Sequence, residues 1–129
     1  MQITLDSPAS APQPANAYYS QVARVELPGG GALLYLSGQV ADGPDLATQS
    51  RGVFETVEAL LAAHGATLAD IINIRTYLTD IDKLPEYGAV RREFLTGTAP
   101  TSMTFEASRL FRPDALIEIE VVAAVAPPV

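Results

Sequence analysis

The segment Ile117-Glu118-Ile119-Glu120-Val121 alternates acidic and branched apolar residues. In a β-strand that alternation puts Glu118 and Glu120 on one face, about 7 Å apart, with the apolar side chains on the other. Two carboxylates that close repel each other, and burial of either raises its pKa toward the range useful for general acid or base chemistry. The same spacing equally fits a solvated pair or a pair neutralised by arginine. Arg75 lies in the middle of another apolar run, where a guanidinium is a solvent-facing residue, an ion-pair partner or an anchor for a ligand carboxylate.

Other chemistry-bearing residues lack the company their chemistry needs. His64 is the only histidine and precedes Gly65 at the end of an apolar-periodic stretch, which predicts helix capping or surface exposure rather than metal binding. Asp80 and Asp82, spaced i, i+2 ahead of a helix, are read as caps. Ser102 and Ser108 have no histidine in a supporting role, so a hydrolase triad lacks its base. Gly29-Gly30-Gly31 stands between two strands and before no helix, which defeats a phosphate-cradle reading. Without cysteine there is no disulfide, thiolate metal site or thiol nucleophile. No metal and no cofactor is expected.

Composition narrows the function classes further. Eight basic residues against fifteen acidic ones give a net charge of −7 over 129 residues. Binding a phosphate backbone needs several Lys or Arg on one face, and the chain has a single lysine, Lys83, so nucleic acid is not an expected partner. No apolar stretch approaches the roughly 20 residues of a membrane span, and no basic leader precedes an apolar run. A cytoplasmic protein is the expectation. A hydrophobic fraction of 48% with 18% charged residues suits one folded domain.

These residues must be positioned by short elements. Residues 1–17 read as an irregular arm, with a short strand near residues 3–5 and then three prolines between Ser7 and Pro14; residues 18–129 form the domain. Val22, Val25 and Leu27 lead through the glycine turn into a second strand at residues 32–36. Leu46, Val53, Phe54, Val57, Leu60 and Leu61 recur at helical spacing. A strand at residues 71–78 places Ile72, Ile74 and Leu78 on one face and Asn73, Arg75 and Tyr77 on the other. A second helix has Pro85 in its first turn, with Leu84, Tyr87, Phe94 and Leu95 along one side, and ends near Gly97. Strands at residues 101–108 and 116–125 follow; the first has a polar face of Ser102, Thr104, Glu106 and Ser108. The order β-β-α-β-α-β-β predicts an α+β fold, one sheet with two helices on one face. The uncovered face then needs a cover, and copies of the same chain are the simplest one.

Tyr19-Ser20-Gln21, Leu36-Ser37-Gly38-Gln39, Tyr77-Leu78-Thr79-Asp80 and Ile117-Glu118-Ile119-Glu120, in that order, resemble the Rid (YjgF, RidA-like) family. The resemblance spans residues 18–125. It implies a chorismate-mutase-like fold, a homotrimer with the sheets facing inward, and a small-molecule cleft at each subunit interface. In the best-known branch it implies hydrolysis of enamines and imines derived from amino acids, with a strand arginine gripping the substrate carboxylate and a strand glutamate positioning water. Aligned by Pro100 and Glu106, the arginine position falls on Ser102 and a nearby cysteine position on Thr104. An asparagine position on the second helix falls on Gly88, the glutamate on Glu118 and the tyrosine on Tyr19. Gly38 belongs to the same ligand-binding set. The chain thus resembles a member lacking the arginine, with Arg75 the candidate substitute and Glu118 the candidate catalytic residue. Two readings stand: a deaminase or hydrolase of a small enamine, imine or related carbonyl compound with altered specificity, and a trimer that binds a metabolite without breaking a bond. A third reading, ribonuclease or translation inhibitor, is an old label for the family, and charge argues against it, since a trimer would carry −21, three times the −7 of one chain.

Overall fold

The computed structural model describes residues 1–128. Six strands form one sheet in the order β1-β2-β3-β6-β4-β5, and two helices cover one of its faces. The strands are β1 (Ile3–Asp6), β2 (Val22–Glu26), β3 (Ala32–Leu36), β4 (Ile71–Leu78), β5 (Thr101–Glu106) and β6 (Ile117–Val125). All pairs are antiparallel except β4 with β5. The fold is the α+β sandwich expected from the element order.

Helix α1 (Leu46–Ala62) starts where Asp45 accepts a hydrogen bond from the Thr48 amide at 2.8 Å, satisfying a donor the helix itself leaves free. That bond holds the Asp45 carboxyl below the usual carboxylate range. The helix buries Leu46, Val53, Phe54, Val57, Leu60 and Leu61 against the sheet, one stripe at helical spacing. Buried Gln49 on the same stripe donates to the Gly43 and Asp114 carbonyls and accepts from the Leu116 amide, so one side chain pins two loops. Helix α2 (Leu84–Phe94) contributes Tyr87 and Val90 to the core. The Phe54 ring stacks on Tyr87 at 6.3 Å and on Phe94 at 5.1 Å, which ties the two helices together.

Several local expectations are corrected. Ile72 is 46% exposed, because a register shift between Ile71 and Asn73 breaks the strict alternation and buries Ile71 instead. Leu84 is exposed at the start of α2; Val90, one turn after Tyr87, takes the core position. The helix ends at Phe94, ahead of Gly97, and the strand expected to reach Ser108 ends at Glu106. His64 neither caps α1 nor lies exposed: its side chain is only 9% exposed, and Nε2 sits 3.0 Å from Asp6 Oδ2 on β1. Asp80 accepts from the Asp82 amide at 3.0 Å as a local cap. Gly29, Gly30 and Gly31 all have φ between 80° and 99°; at Gly31 a side chain would also lie 2.6 Å from the Val125 carbonyl oxygen.

The segment after β1 is irregular and fastened. Gln21 donates to the Pro12 carbonyl, its amide donates to Ser7 Oγ, and Gln39 Nε2 donates to Gln21 Oε1 at 2.7 Å. The open face of the sheet carries Ile3, Leu5, Tyr35, Met103 and Phe105, all exposed in the single chain. Glu118 and Glu120 lie on this face as well, opposite the buried Ile117, Ile119 and Val121.

Candidate functional site

Strand β6 runs down the middle of the sheet, and its parity aims both glutamates at the open face. Pairing with β4 sets Tyr77 beside Glu118 and Arg75 beside Glu120. The two carboxylates then diverge in surroundings. Glu120 accepts a hydrogen bond from the Tyr77 hydroxyl at 2.8 Å and faces Arg75 Nη1 at 3.6 Å. The Tyr77 hydroxyl is pushed above its ordinary pKa, chiefly by that hydrogen bond and then by burial. Glu118 is half-buried, and burial first, then the Glu120 charge, push its carboxyl above the usual carboxylate range; no neighbour acts in the opposite direction. Glu120 is held by partners, and among the described residues Glu118 has no side-chain hydrogen bond.

A glycine makes room for Glu118. Past the end of β3, Gln39 and Ile119 exchange backbone hydrogen bonds at 2.8 and 3.1 Å, which presses residues 37–39 against β6. A Cβ built on Gly38 would overlap Glu118 Oε2 and stand 2.9 Å from its carboxyl carbon. Only glycine permits this carboxylate position.

Tyr19 arrives from the segment before β2, its hydroxyl accepting from the Ala15 amide at 3.0 Å. Tyr19, Ser37, Gly38, Phe111, Glu118 and Glu120 line a cleft of about 470 Å³. A contiguous hollow of about 400 Å³ is bounded by Tyr77, Phe105, Arg109, Phe111 and the same two glutamates. The surroundings are aromatic with an acid at the bottom, a setting for proton transfer on a small organic molecule.

Of the residues singled out from sequence, Tyr19, Gly38 and Glu118 come together in this cleft. Arg75 is on the same face, engaged with Glu120. Ser102 and Thr104 are not in the cleft: pairing with Ile74 and Thr76 puts them on the opposite, helix-bearing side of the sheet at its β5 edge. Gly88 lies on α2, in contact with neither glutamate; a Cβ there would meet only Arg92. The single chain therefore splits the expected set in two. Sequence reading missed Tyr77 as the partner of Glu120, although its alternation with Arg75 already put both on one face. It also missed Phe105, which β4–β5 pairing sets beside Tyr77, and Phe111 and Arg109, which carry no local signal because loop placement decides their neighbours.

The sequence profile of the family described as endoribonuclease L-PSP matches residues 8–125. The chain belongs to this family, the Rid or YjgF family. A RutC family protein of Pyrococcus horikoshii is 33% identical over 122 residues, covering 88% of this chain and 91% of the relative. The protein named putative reactive intermediate deaminase TdcF, from Escherichia coli, is 29% identical over 103 residues, covering 72% of this chain and 79% of the relative. Among solved structures, a YjgF-family protein of Mycobacterium tuberculosis superposes with a TM-score of 0.79 at 29% identity, over 95% of this chain and 98% of that one. The fold is thus the Rid fold. No described helix is long and apolar enough to cross a membrane.

Proposed function

We propose that this Rid chain hydrolyses a small enamine or imine to a carbonyl compound and ammonia in the Glu118 cleft. The observation that carries the reading is the contrast between the two glutamates: Glu120 is engaged by Tyr77 and Arg75, whereas Glu118 is half-buried beside Gly38 with its pKa raised. A carboxyl shifted upward exchanges protons more readily near neutral pH than an ordinary one. An enamine first tautomerises to its imine. Water then adds to the carbon of the protonated imine, one of its protons passing to the Glu118 carboxylate, and a carbinolamine forms. Glu118 returns that proton to nitrogen, the C–N bond breaks as the hydroxyl proton passes to the Glu118 carboxylate and the carbonyl forms, and ammonia leaves, the last proton going from Glu118 to solvent.

The cleft is completed in a homotrimer. The apolar side chains exposed on the open face support this, because a face of that size left to water favours association. In such an assembly the β5 edge of one copy approaches the glutamate cleft of the next, which reunites Ser102 and Thr104 with Tyr19, Gly38 and Glu118. The net charge of −7 speaks against RNA as substrate despite the family's descriptive name. The absence of cysteine suits a reducing cytoplasm.

The test generates a 2-imino acid in place with an amino acid oxidase and follows its decay against semicarbazide trapping. Wild-type protein accelerates decay and ammonia release, and Glu118→Gln does not. A wild type without acceleration on any imine, which still binds a carbonyl metabolite in its cleft, is a binding protein, and the deaminase reading is then wrong.

A further inference from the structure

The hollow beside Glu118 is walled by rings that the core does not use. Strand pairing sets Glu118 on β6, Tyr77 on β4 and Phe105 on β5 in one row across the sheet. At the spacing of neighbouring strands, the Phe105 backbone stands roughly 10 Å from that of Glu118. The Tyr77 ring is fixed at its hydroxyl by Glu120 at 2.8 Å, and Phe105 meets it edge to face with centroids 4.8 Å apart. Phe111 and the two glutamates line both this hollow and the Gly38 cleft, so the two spaces are continuous. The loop that carries Phe111 is fastened where Arg112 pairs with Asp42 at 2.8 Å and the Ala115 amide donates to the Arg112 carbonyl at 3.1 Å.

Core packing does not account for these rings. Phe105 is 40% and Phe111 60% exposed, while Phe54, Tyr87 and Phe94 stack between the helices and the sheet. A second copy of the chain can cover Ile3, Leu5, Tyr35 and Met103 on the open face, but Phe105 and Phe111 bound a hollow of about 400 Å³ whose inner end is two carboxylates. An apolar side chain from a subunit would desolvate those carboxylates and offer them nothing in return. A ligand with a ring at one end and a polar reacting centre at the other satisfies both ends. Arg109, exposed at the rim, adds a guanidinium of the kind that lies over an aromatic face.

We propose that this hollow is the side-chain subsite of the cleft, and that Phe105 and Phe111 select an imine or enamine bearing an aromatic side chain. The imine carbon lies at Glu118, and the ring extends along the row toward Tyr77 and Phe105, extending their edge-to-face packing. The inference rests on the reading that the Glu118 cleft handles such compounds, and it deepens that reading by naming the side chain. A short alkyl substituent reaches neither phenylalanine and leaves the hollow to water.

Calorimetric titration with phenylpyruvate, cyclohexylpyruvate and 2-oxobutanoate, which share a 2-oxo acid group and differ in side chain, reads the subsite without requiring turnover. Wild type binds phenylpyruvate roughly tenfold or more tighter than 2-oxobutanoate, with cyclohexylpyruvate between them. Phe111→Ala brings phenylpyruvate and 2-oxobutanoate to within about threefold of each other, and Phe105→Leu, which keeps apolar volume and removes the ring, narrows the gap by a smaller factor. Met103→Ala, on the same face of β5 and outside the hollow, leaves the ratio within about twofold of wild type. A wild type that binds none of the three, or binds phenylpyruvate no better than 2-oxobutanoate, overturns the proposal. So does cyclohexylpyruvate bound as tightly as phenylpyruvate, or a Phe111→Ala ratio equal to that of wild type. Sedimentation of Phe111→Ala exposes the competing occupant: dissociated chains whose affinity for all three ligands falls equally would assign this ring to contact between copies and overturn the subsite. Should Phe111→Ala fail to fold, an unchanged ratio in Phe105→Leu overturns it instead. Ring-selective binding in a protein that releases no ammonia from any imine sustains the subsite and removes only the deaminase reading.

Discussion

Gly38→Ala perturbs the position of Glu118 without touching its charge. The added Cβ would stand 2.9 Å from the Glu118 carboxyl carbon and overlap Oε2. Returning the carboxyl carbon to ordinary contact, 3.4–4 Å, moves it by about 0.5–1 Å, and the oxygen ahead of it by more. The obstructing atoms are the end of a flexible side chain, so the fold adapts and the carboxylate gives way. A displacement near 1 Å of a proton-transferring group costs on the order of 100-fold in rate. In the imine-decay assay Gly38→Ala should therefore lose about two orders of magnitude in kcat, with substrate affinity nearly retained and the melting temperature within a few degrees of wild type. A Gly38→Ala protein with the wild-type kcat would show that the close approach of Gly38 and Glu118 has no part in the chemistry.

Other consequences are open to simpler assays. The Glu118 carboxyl is raised in the folded state, so the folded protein is favoured below the ordinary carboxylate pKa and loses that advantage as pH rises through the shifted value. Glu118→Gln should then melt at a higher temperature than wild type at pH 7 and at the same temperature near pH 3; a difference that grows toward acid would contradict the burial argument. Tyr35→Glu, on the open face beside β6, should dissociate the proposed trimer into 13.6 kDa chains in sedimentation, because it places an unpaired charge in the proposed interface; a trimer of unchanged strength would move the interface elsewhere. Asp6→Ala leaves the nearly buried His64 ring without its 3.0 Å partner and should cost about 1 kcal/mol in denaturant unfolding; no loss would make that contact incidental.

Much of the fold was readable because strand parity and helical spacing are local properties. Ile117 to Val121 alternates as expected, and the stripe from Leu46 to Leu61 is the buried face of α1. The failures occur where a distant partner overrides the local pattern. Ile72 turns outward at a register shift against β6, and His64 is drawn inward by Asp6, 58 residues away. The site follows the same rule. The alternation puts Glu118 and Glu120 on one face, as observed, but which of them meets Tyr77 and Arg75 depends on the β4–β6 register, which no local pattern encodes. The role of Gly38 depends on the Gln39–Ile119 bridge for the same reason.

The most direct test of the central claim is the rate of 2-imino acid decay in the presence of wild type and of Glu118→Gln, both shown to be folded and of equal chain number. The account predicts acceleration with matching ammonia release by wild type and decay at the spontaneous rate with Glu118→Gln; equal acceleration by the two proteins would contradict it.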